Sequence, residues 1–171
     1  MSPIPTPIGE MVAGATETHL VMFEFEHRRM YNTQIERLRA ALGAELVPGD
    51  SPVFEVLRTQ LDEYFEGTRR DFTVPLLTPG TPFQVKVWEA LQRLPSGTTT
   101  SYKDLAVSIG QPDAVRAVAR ANGDNRIAIL IPCHRVIGSD GQLVGYGGGL
   151  WRKRKLLDLE ARAVNLSLFD E

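Results

Sequence analysis

Cys133 is the only cysteine among 171 residues, and it stands in the run Ile131-Pro132-Cys133-His134-Arg135-Val136. Thiolate, not thiol, is the nucleophilic form, and an ordinary thiol has a pKa of about 8.5. An adjacent imidazole or guanidinium raises the thiolate fraction, so this run reads as a reactive sulfur with a base beside it. Taken alone, a single cysteine is as readily a small buried hydrophobe, and the surroundings must decide. A lone cysteine excludes an intramolecular disulfide and a cysteine-rich zinc site, and His19, His27 and His134 lack metal-ligand spacing. No metal is expected.

A nucleophile needs a rigid mount. Ile127-Ala128-Ile129-Leu130-Ile131 is a continuous apolar run that suggests a buried strand delivering Cys133 at its end. Upstream, Ser101-Tyr102-Lys103-Asp104 has the spacing of a helix capping box, and the helix it opens runs to about Ile109, with Gly110 as its stop. Pro112 suits the start of the next helix, which holds Ala114, Val115, Ala117, Val118, Ala119 and Ala121 and stops near Asn122-Gly123. Two short helices joined by a glycine-containing turn form a helix-turn-helix candidate. The second carries small side chains, which allow close approach to a duplex, with Arg116 and Arg120 on its exposed face. Packed helices with two solvated arginines would look the same. Downstream, Ser139-Asp140-Gly141 reads as a turn, and Gly145-Tyr146-Gly147-Gly148-Gly149 as a loop that bends sharply or passes close to a ligand. It lacks the Gly-Lys-Ser/Thr of a phosphate loop. The last helix starts near Leu150, and its run Arg152-Lys153-Arg154-Lys155 reads as a solvated basic face or a contact to a DNA backbone.

The earlier part of the chain reads differently. Residues 1–30 suit strands, most clearly Leu20 to Glu26, with Phe23 and Phe25 on one face. Residues 32–43 and 52–66 predict helices, the second with Val53, Leu57, Leu61 and Phe65 on one stripe. Thr78-Pro79-Gly80-Thr81-Pro82 is a breaker cluster that marks a boundary between lobes, and Phe83, Val87, Leu91 and Leu94 predict a helix beyond it. Residues 1–78 hold 7 basic and 12 acidic side chains, whereas residues 79–171 hold 12 basic and 9 acidic. The overall charge of −2 argues against a general nucleic-acid coat protein, yet the basic second part can meet phosphate. No apolar stretch approaches the ~18 residues of a membrane span, and no secretory signal opens the chain. A reducing, cytoplasmic location is expected.

These motifs together resemble the O6-alkylguanine-DNA alkyltransferase family, nearest to the alkyltransferase part of bacterial adaptive-response proteins. The resemblance rests on Pro132-Cys133-His134-Arg135 preceded by Ile129-Leu130-Ile131, on Asn125, and on Gly145-Tyr146-Gly147-Gly148-Gly149. It extends to Thr81-Pro82-Phe83-Gln84, Trp88, Gly97 and Ser101-Tyr102, and is nearly continuous from about residue 79 to residue 160. It implies an α/β (α+β) protein. Residues 1–78 would form a ribonuclease-H-like structural lobe with a small antiparallel sheet and helices. Residues 79–171 would form a mostly helical DNA-binding alkyltransferase domain with the helix-turn-helix and the cysteine.

The resemblance also implies roles. Cys133 accepts the alkyl group, His134 acts as base through a water, and Glu160 orients the histidine in a triad-like relay. Asn125 organises the turn around the cysteine, and Tyr102 hydrogen-bonds the flipped base and donates a proton as guanine leaves. Arg116 fills the gap in the duplex, and Tyr146 walls the pocket. Arg135, Ser139, Ala117 and Gly147 complete the DNA- and base-binding set. The partner is double-stranded DNA containing O6-alkylguanine, with O4-alkylthymine left open. The protein would act as a monomer, with assembly on DNA also open, and no membrane is involved. No cofactor is needed, because the damaged base is the alkyl donor and the product thioether ends the reaction after one transfer.

Two departures stand out: Arg126 follows Asn125 where the family often has proline, and the cysteines of a zinc-bearing N-terminal lobe or of an added phosphotriester domain are absent. Two other readings compete. A non-catalytic alkylguanine-binding sensor would lack the cysteine. A cysteine hydrolase does not usually bring base to thiol as sequence neighbours, and it leaves the helix-turn-helix unexplained.

Overall fold

The computed structural model describes the backbone of residues 1–169 and the side chains of residues 1–165. The architecture is mixed α/β, and the chain divides into two compact units: residues 1–79 with 126–128, and residues 80–125 with those from 129 onward.

In the first unit, β1 (Ser2–Thr6), β2 (Gly9–Ala15) and β3 (Leu20–Phe25) form an antiparallel sheet in the order β1-β2-β3. The outer edge of β3 is not left open. Leu20 bridges Leu76 and Phe23 bridges Ile127, both in parallel, which occupies backbone groups that would otherwise template aggregation. Alternation predicted one buried face for β3, yet all six of its residues are buried. Glu24 is tolerated there because Arg28, one turn further on, pairs with it at 2.6 Å. Helix α1 (Tyr31–Leu42) ends on Gly43 at φ 61°, a left-handed conformation that glycine adopts without strain. Leu38 of α1 packs with Val12, Val21 and Met22 of the sheet.

Helix α2 (Pro52–Glu66) starts where Ser51 accepts a bond from the Val53 amide at 3.2 Å. Its buried stripe is Val53, Phe54, Leu57, Gln60, Leu61 and Tyr64; Phe65, expected on it, is only half-buried. The helical period explains the exchange, since steps of three and four residues from Leu57 through Leu61 lead to Tyr64.

In the second unit, α3 (Pro82–Gln92) opens with a complete capping box, Thr81 and Gln84 each satisfying the other's backbone. Its buried residues are Val87, Trp88, Ala90 and Leu91, and the Trp88 indole donates to Ala121 O at 2.9 Å. Leu94, expected within this helix, lies past its end. A two-residue strand β4 (Thr100–Ser101) leads into α4 (Tyr102–Ser108), and Ser101 caps α4 by accepting from the Asp104 amide at 3.0 Å. Helix α5 (Val115–Gly123) begins three residues later than Pro112 suggests, because residues 111–114 close a separate turn through Ala114 N and Gln111 O at 3.0 Å. The last helix is α6 (Leu150–Phe169). No described helix is long and apolar enough to cross a membrane.

The largest correction concerns residues 127–131, which do not form a strand. Only Ile127 pairs, and the chain then turns, with Ile129 at φ 73°, the one non-glycine in the left-handed region among the described residues. Apolar content does not distinguish a buried turn from a buried strand when both are equally shielded.

Candidate active site

The mount for Cys133 is a pair of tight turns rather than a strand end. Pro132, at φ −81° and ψ 62°, makes an inverse γ-turn in which Cys133 N donates to Ile131 O at 2.7 Å. Cys133–Arg135 then form one turn of 3-10 helix, and Val136–Ile137 form β5, which pairs in parallel with β4. That pairing sets Thr100 against Val136 and Ser101 against Ile137, so the strand that follows the Cys133 turn is tied to the one that leads into Tyr102. Asn125 locks the arrangement: its Nδ2 donates to Ile131 O at 2.9 Å and to Cys133 Sγ at 3.2 Å. Cys133 keeps 9% of its surface open.

Behind the cysteine lies a fully buried ionic group. His134 Nε2 meets Glu160 Oε2 at 2.8 Å, and Arg135 places Nε on Oε1 and Nη2 on Oε2, each at 2.9 Å. Burial works against the charge on Glu160, but His134 and Arg135 outweigh it and hold the carboxyl well below the usual carboxylate range. An ionised carboxylate only accepts, so Nε2 carries the ring proton. Burial pushes the His134 pKa down, with Arg135 and Lys153 acting in the same direction against the pull of Glu160. The neutral ring therefore presents a bare Nδ1, which has no protein partner.

The remaining expected residues fall into two groups. Tyr102 belongs with Cys133: its hydroxyl donates to Val144 O at 3.2 Å, and burial, aided by the negative charge Cys133 carries when ionised, raises its pKa. Tyr146 is half-buried in the glycine loop, and Gly145 bends that loop at φ 61°. Arg116, Ala117, Ser139 and Gly147 are exposed. Arg116 and Ala117 lie on α5, which packs against α4 as a helix-turn-helix requires, and Ser139 lies in the turn from Gly138 to Gln142.

Arg135 is a correction. Expected at the DNA, it is buried, with its guanidinium committed to Glu160 and, through Nη1, to Leu94 O at 2.6 Å.

Lys153 was missed as a site residue and read as part of a solvated run. It is fully buried, and its Nζ donates to Val144 O at 3.0 Å and Gly145 O at 3.1 Å. Burial lowers its pKa, and the ionised Cys133 opposes that shift. The signal was in the spacing, since Lys153 shares one helical stripe with the buried Leu156, Glu160 and Ala163.

Both parts of the chain match known families. Residues 82–162 match the DNA binding domain of 6-O-methylguanine DNA methyltransferase, and residues 2–78 match its ribonuclease-like domain. The chain belongs to the 6-O-methylguanine DNA methyltransferase family. Among relatives in this family, the methylated-DNA–protein-cysteine methyltransferase of Mycobacterium leprae is 54% identical over 66% of this chain and 69% of its own length. The protein of that name from Methanosarcina barkeri is 43% identical over 92% of this chain and 94% of its own. A crystal structure of Mycobacterium tuberculosis OGT in complex with DNA superimposes with a TM-score of 0.81 at 40% identity, covering 98% of each chain. In this member of the methyltransferase family, the cysteine, histidine, glutamate, asparagine and tyrosine singled out from sequence all converge on one site in the second unit.

Proposed function

We propose that the protein repairs DNA by moving the alkyl group of O6-alkylguanine onto its own Cys133, once per molecule. The observation that carries this reading is a nucleophile oriented by Asn125 at 3.2 Å beside a histidine whose outer nitrogen is bound to a buried carboxylate at 2.8 Å.

In this reading the Cys133 thiol gives its proton to the bare Nδ1 of His134, through water, and Glu160 steadies the imidazolium that forms. The thiolate attacks the alkyl carbon, a carbon–sulfur bond forms, the carbon–O6 bond breaks, and guanine leaves with the bond's electrons. The departing base takes a proton from Tyr102, whose hydroxyl must first leave Val144 O. Lys153 then holds that carbonyl by itself and keeps the loop in place. The thioether is stable, so the reaction stops there and no cofactor enters.

Residues 1–78 act as a structural lobe and residues 79–171 as the domain that binds duplex DNA through α4 and α5. Arg116 enters the duplex as the lesion swings out, offsetting an unstacking cost of a few kcal/mol. Ala117, Ser139 and Gly147 contribute contacts from exposed positions, and Tyr146 walls the base pocket. The protein works as a monomer in the cytoplasm, where a thiol stays reduced.

Incubation with duplex DNA containing O6-methylguanine should add one methyl group, found on Cys133 by peptide mass spectrometry, and leave unmodified guanine. Repeated turnover by one molecule, or a methyl group on another residue, would refute the reading.

A further inference from the structure

Each of the three guanidinium nitrogens of Arg135 donates a hydrogen bond inside the protein. Two of its nitrogens grip both oxygens of Glu160 at 2.9 Å, and the third reaches Leu94 O, just past the end of α3, at 2.6 Å. Glu160 Oε2 is shared between Arg135 and His134 Nε2 at 2.8 Å, so the guanidinium and the imidazole compete for one carboxylate. We propose that Arg135 is a positioning residue for the transfer reaction, clamping Glu160 so that His134 is held with Nδ1 bare and remains a neutral base.

The inference rests on the alkyl-transfer reading. A buried carboxylate facing a histidine alone favours the imidazolium, which has no lone pair to take the thiol proton. A guanidinium on the same carboxylate offsets that pull. The groups facing His134 are Glu160 and Lys153 from α6 and Arg135 from its own turn, and Glu160 alone among them favours protonation. Arg135 also sets geometry, because its planar fork fixes the carboxylate plane and the tie to Leu94 O fixes the fork. Lysine keeps the charge but not the fork.

The test measures the rate of Cys133 alkylation by a free-base O6-alkylguanine, which needs no DNA, from roughly pH 5 to pH 9. Arg135→Gln should move the rise of the rate upward by about one pH unit or more, with the largest loss at low pH. Arg135→Lys should keep the wild-type pH profile and lower the rate throughout. An Arg135→Gln profile that superimposes on wild type after scaling would overturn the proposal. Should Arg135→Gln not fold, nitrogen NMR of His134 in the wild-type protein at neutral pH decides. A neutral ring protonated on Nε2 supports the clamp, and an imidazolium or an Nδ1–H tautomer overturns it. A wild-type protein that is not alkylated at any pH refutes the alkyl-transfer reading instead.

Discussion

Glu160 is the residue on which three hydrogen bonds converge. Its oxygens accept from His134 and twice from Arg135 in a region closed to water. Glu160→Gln would leave the Arg135 guanidinium buried without a countercharge, a change that typically costs about 3–5 kcal/mol. The same pair makes stability depend on acid. A carboxyl held below its unfolded pKa of about 4.3 contributes stability above that pH and loses it as pH falls toward the folded value. The wild-type urea midpoint should therefore drop steeply below about pH 4, and the Glu160→Gln midpoint should start lower and fall less. Glu24 runs the other way: burial outweighs Arg28 and raises its pKa, so protonation there favours the folded state. A wild-type midpoint that is flat into strong acid would mean that the Glu160 pair is not formed.

The segment from Asn125 to Ile137 presents the cysteine, and its least usual feature is Ile129 at φ 73°. A β-branched residue in the left-handed region carries strain of about 1–2 kcal/mol, which Ile129→Gly would relieve. The isoleucine side chain is also 1% exposed, and losing a buried aliphatic group of that size costs about 2–5 kcal/mol. Burial wins, so Ile129→Gly should lower the urea midpoint. An unchanged or raised midpoint would show that the turn is held under more strain than its packing offsets. Cooperation among short pieces holds this segment. The γ-turn at Pro132, the two bonds from Asn125 and the β4–β5 pairing each fix a few residues and are weak in isolation.

For the molecule as a whole, charge is divided between the two parts of the chain, with acidic side chains in excess before residue 79 and basic ones after it. Exposed Lys103 on α4 and Arg116 and Arg120 on α5 give the helix pair a positive surface. With Arg116 inserted into the duplex, phosphate contacts from Lys103 and Arg120 predict that the logarithm of duplex affinity falls against the logarithm of salt with a slope of about −2. Alkylation by a free base should be nearly insensitive to salt. Arg116→Ala should likewise slow repair of duplex substrate while leaving the free-base reaction intact. Equal losses on both substrates would remove Arg116 from the base-flipping step.

The reactive residues were legible from sequence because their chemistry is local. Cys133 with His134 beside it and the glycine-flanked Tyr146 are visible without a fold, as are the helices, whose period and caps are properties of neighbouring residues, whereas Asn125 and Glu160 are marked only by the family resemblance. What required the folded chain was the partner of each buried charge and the path of the apolar run before the cysteine. Arg135 reads as a DNA contact until Glu160, distant in sequence, takes its guanidinium. Lys153 reads as solvated until two loop carbonyls close on its ammonium group. Residues 127–131 read as a strand until Asn125 folds them into a turn. In each case one sequence pattern fits two environments. Burial and long-range hydrogen bonds, which depend on distant residues, choose between them.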